Sequence, residues 1–184
     1  YLEMNRMARE ISLGRELLER KSDVCAFLFA FFSRISECGT VRALADACEE
    51  SMGGTCGVRG LHIAWWGKEN IVHYLLSAGQ DEETRVRWRV FMREQCRAYL
   101  AEPLEGVCQY RNCRGGEPGA PESLVMLPLL IRGRACGLLA LDMENPVLQS
   151  RDMAQALDAV RRHMALALWE GAGNASFFAE EEEE

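Results

Sequence analysis

Four arginines recur at every fourth position in the middle of the chain: Arg85, Arg89, Arg93 and Arg97. This spacing places them along one face of a helix. A guanidinium group binds a carboxylate or phosphate through two parallel hydrogen bonds, so the row favours a binding site for a small anion. The alternative is a solvated helix face whose charges are partly neutralised by neighbouring acids such as Glu82 and Glu94.

Aromatic side chains accompany this arginine row and can form apolar walls around a ligand. Trp88 lies within the row, and Tyr110 lies in the segment that follows it. The predicted ligand-binding residues are Arg89, Arg93, Arg97, Trp88 and Tyr110. Arg93 is the best single probe because it lies mid-helix, where a rigid backbone can direct its side chain inward. The aromatic residues are equally typical of an ordinary core or sheet face.

Three of the eight cysteines lie around the same stretch: Cys96, Cys108 and Cys113. A cysteine reacts as its thiolate, and neighbouring positive charge such as Arg93 or Arg97 lowers the thiol pKa. These three are therefore the candidate catalytic residues if the protein is an enzyme. The alternative is that they are incidental in a cysteine-rich chain. We find no export signal, which favours a reduced, cytoplasmic setting with most cysteines buried as small hydrophobes.

The sequence predicts no metal site and identifies no cofactor. Four residues lie between Cys108 and Cys113, and His62, His73 and His163 are widely separated. A structural role is the simpler interpretation of each histidine, although His62 and His73 lie in strands that can pair.

Charge and hydropathy exclude two classes of partner. The net charge is −7, and five of the acids form the run Glu180–Glu184. Direct nucleic-acid binding requires a basic excess that this chain lacks. The longest apolar runs, Val24–Phe32 and Leu124–Ile131, are too short to cross a bilayer as helices. The length of 184 residues and the 48% hydrophobic content suit one domain with an appended helix.

The N-terminal segment predicts a long helix. Apolar residues recur at alternating steps of three and four from Met4 to Ile35, a heptad seam that Gly14 and Lys21 interrupt. The seam favours a helix that pairs with its copy in a homodimer. The alternative is an amphipathic helix packed on its own domain.

The rest of the chain predicts two further helices and two hairpins around the arginine helix. A second helix begins at the N-cap Thr40 and ends at Gly53-Gly54, and a last helix follows Ser150. The intervening predicted elements, in chain order, are strands Leu61–Trp66 and Ile71–Leu76, the helix Asp81–Ala98, a Gly/Pro-rich loop Ala101–Ser123, and strands Leu124–Ile131 and Ala135–Asp142.

This order of elements, together with the stretch Leu127–Leu141, resembles a GAF domain. In that stretch a strand containing Pro128 meets a turn glycine, Gly133, and a second strand with Gly137 near its start. The resemblance covers Val24 to Trp169. It implies an α+β fold, related to PAS, with a central antiparallel sheet of five or six strands, helices on both faces and a long N-terminal helix. A PAS fold itself is the nearest alternative, and the long helical start fits it less well.

The resemblance also implies a domain organisation and a function. Residues 1–36 would be a dimerisation or linker helix, residues 37–170 a GAF-like sensory domain, and residues 171–184 an acidic tail or linker. Such a domain is typically a non-catalytic sensor in a bacterial signal-transduction protein. It would bind a small molecule beside the arginine helix, where the arginines favour an anion, dimerise through its terminal helices and act on an attached output domain.

Two alternatives to a ligand-binding sensor stay open. Some relatives of this family reduce free methionine sulfoxide with pocket cysteines, which would give Cys96, Cys108 and Cys113 a catalytic role. The other alternative is a dimerisation module without a ligand. The Asn-Lys-Phe-Asp-Glu signature of cyclic-nucleotide-binding members is absent from the sequence.

Overall fold

The computed structural model describes residues 2–68, 71–101, 108–110, 124–143, 151–174, 176–178 and 182–183. These residues form four helices and six strand segments, in the order α1 (Leu2–Ile35), α2 (Val41–Cys56), β1 (Val58–Trp65), β2 (His73–Leu75), α3 (Glu82–Ala101), β3 (Cys108–Tyr110), β4 (Leu124–Ile131), β5 (Arg134–Met143), α4 (Arg151–Gly171) and β6 (Glu182–Glu183).

The strands form one antiparallel sheet in the order β3-β4-β5-β1-β2-β6. Its main body consists of four strands, β4, β5, β1 and β2, rather than the predicted five or six. The edge segments β3 and β6 contain only three and two residues. The predicted α+β arrangement with an antiparallel sheet is confirmed.

Alternation along β1 separates the core into two layers. Leu61, Ile63 and Trp65 pack in the layer that contains residues of α1, α2 and α4. Ala64 and the following Trp66 pack in the layer that contains residues of α3. The sequence alone did not show which face of this strand meets the arginine helix, because both faces are apolar.

Local capping signals set the start of two helices as predicted. The Thr40 hydroxyl accepts a hydrogen bond from the Ala43 N–H at 3.2 Å, and Asp81 Oδ1 accepts one from the Thr84 N–H at 2.8 Å. The predicted end of α2 at Gly53-Gly54 is wrong. The helix continues to Gly57, which adopts the left-handed conformation (φ 68°) that terminates helices.

The β4–β5 hairpin has the tight geometry that its glycines predict. Gly133 has φ 75° in the turn. A Cβ at Gly137 would lie 2.7 Å from both the Ala64 carbonyl oxygen and Trp65 Cε3. Only glycine therefore lets β5 lie this close to the end of β1.

Among the described side chains of the long helix α1, those that pack on the domain lie in its C-terminal part. Phe31 and Ile35 are buried, and the Phe32 ring contacts the His163 ring of α4 at 3.7 Å between centroids. Towards its N-terminus, α1 exposes a set of large apolar side chains: Met7, Ile11, Leu13, Leu17 and Leu18. Among the described residues, no helix combines the length and apolar character that a bilayer span requires.

Residues beyond α4 also contact the core. Phe177 is buried, and its carbonyl oxygen accepts a hydrogen bond from the Val41 N–H at 3.0 Å. In the terminal acidic run, Glu182 and Glu183 pair with β2 as β6. Residues 179–181 and 184 lie outside the described part of the chain. The proposed division into residues 1–36, 37–170 and 171–184 stays a prediction.

Candidate functional site

The helix α3 lies over the sheet through residues spaced by three and four. Trp88, Met92, Cys96 and Tyr99 are buried. They pack against sheet residues that include Ala64 and the neighbouring Leu138. Apolar side chains therefore fill the space beneath the middle and C-terminal turns of α3, and polar groups are found nearer its N-terminal end.

The arginine row rotates about the axis of α3 instead of facing one side. Arg85, Arg89 and Arg93 are half-buried, whereas Arg97 is exposed. A step of four residues overshoots a full turn by about 40°, so three steps turn the row by about 120°. Arg85 and Arg89 bury their Nε atoms, and Arg85 also forms an ion pair of 3.6 Å with Glu82. Arg85 and Arg89 therefore hold part of their guanidinium groups inside the fold, and Arg97 is directed to solvent.

The side chain beneath Trp88 is His62. Its ring stacks on the indole with 3.8 Å between centroids and 22° between planes, and the residue has no exposed surface. The Ser77 N–H donates a hydrogen bond to His62 Nδ1 at 3.3 Å. Burial lowers the pKa of His62 to about 3, so the ring is neutral near pH 7. A neutral imidazole whose Nδ1 accepts must carry its proton on Nε2.

His62 Nε2 is buried and has no hydrogen-bond partner among the described residues. Gln80 Oε1 is also buried and has no hydrogen-bond partner among the described residues. A Cβ on Gly60 would lie 3.1 Å from Gln80 Nε2 and 3.4 Å from His62 Nε2, so the amide and the imidazole converge above this glycine. Buried polar atoms without partners are few in native proteins, because each costs about 1–3 kcal/mol. The unpartnered His62 Nε2, with the Gln80 amide beside it, indicates a place for a polar ligand.

The segment that carries Ser77 and Gln80 is held by α2. The Ser77 hydroxyl donates to the Glu49 carboxylate, with oxygen distances of 2.9 and 3.0 Å, and Arg42 Nη1 donates to the Leu76 carbonyl oxygen at 2.9 Å. These contacts fix the backbone N–H that orients His62. We name the group formed by Gly60, His62, Ser77, Gln80 and Trp88 the His62 cluster.

The other predicted site residues do not join the His62 cluster in the described structure. Tyr110 lies on the edge segment β3, opposite Leu124, and its side chain is outside the described residues. Cys96 is buried, and burial raises its pKa to about 12, so it is a protonated thiol at neutral pH. The side chain of Cys108 and all of Cys113 are outside the described residues.

Sequence reasoning missed His62 and Gln80 as site residues. His62 was assigned a structural role, although it is the only polar residue in the run Leu61–Trp66. That isolated polar residue was the available signal. No sequence signal marked Gln80 as a site residue, since its position depends on how the chain turns after β2. Among the side chains that the structure describes, no group of three His, Cys, Asp or Glu residues is arranged to hold a metal ion.

Solved structures with the same architecture were found by comparison. The GAF domain of a protein from Pseudomonas syringae pv. tomato, described as a sensor histidine kinase, superposes with a TM-score of 0.61, covering 90% of this chain and 98% of that one at 11% identity. The GAF domain of an Acinetobacter phosphoenolpyruvate-protein phosphotransferase gives 0.57, covering 82% and 95% at 13% identity.

The chain has the GAF fold. A fragment of a methyl-accepting chemotaxis protein also superposes, with a TM-score of 0.51, 12% identity, and 79% and 99% of the two chains covered. No protein-family model and no curated protein matches the sequence. At identities this low the likeness establishes the fold and leaves the ligand to be argued from the site. In this GAF fold, the His62 cluster lies between the sheet and the N-terminal half of α3.

Proposed function

We propose that this chain is a non-catalytic GAF sensory domain of a bacterial signal-transduction protein, located in the cytoplasm, that binds a small anion at the His62 cluster. The observation that carries the proposal is the buried His62 Nε2, a hydrogen-bond donor without a partner among the described residues. The structures that the fold resembles come from a phosphotransferase, a protein described as a sensor kinase and a chemotaxis protein. They support a role in signalling with an attached output domain.

Two features favour an anion at this position. The tautomer of His62 presents an N–H, and Gln80 can present its amide N–H groups to the same point. Arg85 and Arg89, which flank Trp88 on α3, bury their Nε atoms and so hold part of their positive charge inside the fold. Donors and guanidinium groups in a water-poor site bind anions more strongly than the same groups in water. Two described carboxylates are already engaged, since Glu49 accepts from the Ser77 hydroxyl and Glu82 forms an ion pair with Arg85.

The proposed site includes some of the residues predicted from the sequence, but it is centred on His62 rather than on the arginine row. Trp88 stays in it because its ring stacks on His62, and Arg89 and Arg93 stay as half-buried residues of the same helix. Arg97 is exposed and belongs to the solvated face of α3. Tyr110 stays a candidate lining residue, because β3 lies beside β4 on the sheet that α3 covers.

Dimerisation is proposed to occur through α1. The seam residues Met7, Ile11 and Leu18 expose between 61% and 70% of their surface on the part of α1 that leaves the domain. A row of exposed apolar side chains at heptad spacing is typical of a helix that pairs with another. In such a dimer, α1 and the α4 helix that packs on it would carry a change at the ligand site to the output domain.

The thiol-enzyme alternative is less well supported. A reductase of this type needs a thiolate, and Cys96 is held as a thiol by its burial. Purified protein is therefore expected to show no turnover of free methionine sulfoxide. Thiol-dependent turnover that is lost on Cys108→Ser or Cys113→Ser would overturn the sensor proposal.

The experiment that tests the anion site is a thermal-shift screen with inorganic phosphate, nitrate and small mono- and dicarboxylates. A ligand at a hundred times its Kd stabilises the folded state by about 2.7 kcal/mol. For a compound that binds, Arg89→Met and Gln80→Leu should abolish the shift. The matched control is Arg97→Met, the same substitution at the exposed end of the same arginine row, which should preserve it. Equal losses in Arg89→Met and Arg97→Met, or shifts produced only by neutral apolar compounds, would contradict the proposal.

A further inference from the structure

A cavity lies at the end of β1 opposite the His62 cluster. It has a volume of about 370 Å³ and is partly open to solvent, and its walls come from the end of β1 with Gly67 and Lys68, from Ile71 and His73, from the C-terminal end of α4 and from Phe178. Pockets for small ligands begin at about 300 Å³, so the space suits a compact molecule. The cavity shares no residue with the His62 cluster. Trp66, on its wall, lies four residues beyond His62, which is about 13 Å along a strand.

Aromatic rings from distant parts of the chain form most of the wall. Trp65 and Trp66 come from the end of β1, Trp169 from the last turns of α4, and Phe178 from the segment after it. Trp66 is fixed in place, because its Nε1 donates to the Ala135 carbonyl oxygen at 3.0 Å. Gly67 has φ 55°, and a Cβ there would lie 3.2 Å from Trp65 Nε1, so a glycine is needed where the chain turns back over this ring.

The polar groups of the cavity are cationic or can donate a proton. Lys68 Nζ lies 4.7 Å from the centroid of the Trp169 ring. His73 stacks on Phe178 with 4.6 Å between centroids, and its buried Nδ1 has no hydrogen-bond partner among the described residues. None of the lining residues that the structure describes is acidic. The cavity therefore combines aromatic walls with one positive charge, that of Lys68, and one imidazole nitrogen, His73 Nδ1, that has no partner among the described residues.

We propose that this cavity is a second ligand site, which binds a small planar aromatic carboxylate. The ring of the ligand would pack chiefly against the half-buried rings of Trp169 and Phe178, with the edges of the nearly buried Trp65 and Trp66 beside it, and aromatic pairs contribute beyond the area that they bury. Its carboxylate would pair with Lys68 Nζ and accept a hydrogen bond from the Nδ1–H tautomer of His73. Because the walls come from β1, β2 and the end of α4, the bound ligand would join the sheet to the C-terminal end of that helix.

The four tryptophans of the chain make the location of binding measurable. Three of them, Trp65, Trp66 and Trp169, line this cavity, and the fourth, Trp88, lies in the His62 cluster. The full chain labelled with ¹⁵N is titrated with 2-naphthoate, and the four indole Nε1–H signals are assigned with single Trp→Phe variants. We expect saturable shifts of the Trp65, Trp66 and Trp169 signals, with the Trp88 signal unchanged.

Two further compounds separate charge from shape. The neutral isostere 2-naphthamide keeps the ring and loses the carboxylate, so it should bind several-fold more weakly. Cyclohexanecarboxylate keeps the charge and loses the aromatic face, so it should bind more weakly still.

Substitutions at the two lysines of the chain give a matched pair. Lys68→Met should weaken 2-naphthoate about fivefold, as expected for a partly exposed ion pair, and leave 2-naphthamide unchanged. Lys21→Met, on the exposed part of α1, should change neither. His73→Phe keeps a ring beside Phe178 and should weaken only the carboxylate.

Three results would overturn the proposal. The first is the absence of any saturable shift up to about 1 mM 2-naphthoate. The second is movement of the Trp88 signal together with or instead of the other three, which places binding at the His62 cluster. The third is equal binding of 2-naphthoate and 2-naphthamide with no effect of Lys68→Met, which removes the carboxylate recognition.

Discussion

The imidazole of His62 and the indole of Trp88 lie face to face, 3.8 Å apart between centroids, although the two residues belong to different elements. The contact joins β1 to α3 beside the polar atoms that we assign to ligand binding. It couples burial of the aromatic ring to the protonation state of the histidine. Two predictions follow from this pair alone.

The stability of the protein should fall as the pH drops below the ordinary histidine pKa. In the folded state the pKa of His62 is about 3, against a reference value of 6.5. Between these two values the unfolded chain binds a proton that the folded protein excludes, so the free energy of unfolding decreases by up to about 1.4 kcal/mol per pH unit. Urea unfolding between pH 7 and pH 4 measures the slope.

The control for this slope is a substitution at the histidine itself. His62→Gln should remove the contribution of His62 to the pH dependence, whatever its effect on stability at pH 7. His163→Gln, on α4, should leave that contribution in place. An identical slope in wild type and His62→Gln would show that His62 titrates as it does in the unfolded chain.

Removal of the Trp88 ring should destabilise the fold strongly. Trp88 is 3% exposed and contacts both His62 and Phe91 through its ring. Truncation of a buried tryptophan leaves a cavity and typically costs about 3–5 kcal/mol, so Trp88→Ala should lower the free energy of unfolding by that amount. Val90→Ala, at an exposed position of the same helix, should cost well under 1 kcal/mol. Comparable losses in the two variants would contradict the described packing of α3.

The described cysteines should differ in reactivity by their burial. Cys25 is exposed on α1, whereas Cys96 is buried beneath α3 with a pKa of about 12. Alkylation by iodoacetamide at neutral pH should therefore modify Cys25 in the folded protein and reach Cys96 only after unfolding. Peptide mass spectrometry of native and urea-treated samples distinguishes the two. Rapid native labelling of Cys96 would instead support a reactive thiol beside the sheet.

The protein should form a homodimer through the heptad seam of α1. Ile11 lies on the seam and Leu13 lies off it, and both are well exposed in the described chain. In a seam-paired dimer, Ile11→Glu loses apolar burial in both copies and should raise the dissociation constant roughly a hundredfold. Leu13→Glu introduces the same charge and should have little effect. Sedimentation velocity at micromolar concentration measures the difference, and a wild-type protein that is monomeric under these conditions would contradict the proposed dimer.

Local sequence signals were sufficient for the elements and their order. The caps at Thr40 and Asp81, and both ends of β4, follow from residues a few positions apart, and the structure has them as predicted. The close approach at Gly137 was also predicted, because a strand glycine commonly marks such contact. The same local signals were misleading at Gly53-Gly54. Glycine costs a helix only about 1 kcal/mol, and the left-handed residue that terminates α2 is Gly57.

The chemistry of the site was decided by the tertiary structure. The four equally spaced arginines cannot be told apart in the sequence. In the structure the row turns about the axis of α3, so that Arg89 is partly buried and Arg97 is exposed. His62 has its low pKa and its fixed tautomer because Ser77 and Trp88, 15 and 26 positions further along the chain, contact it. The cavity likewise forms only where the end of β1 meets the end of α4. Hydrogen-bond satisfaction and desolvation depend on groups that are distant in sequence, and only the folded chain brings those groups together.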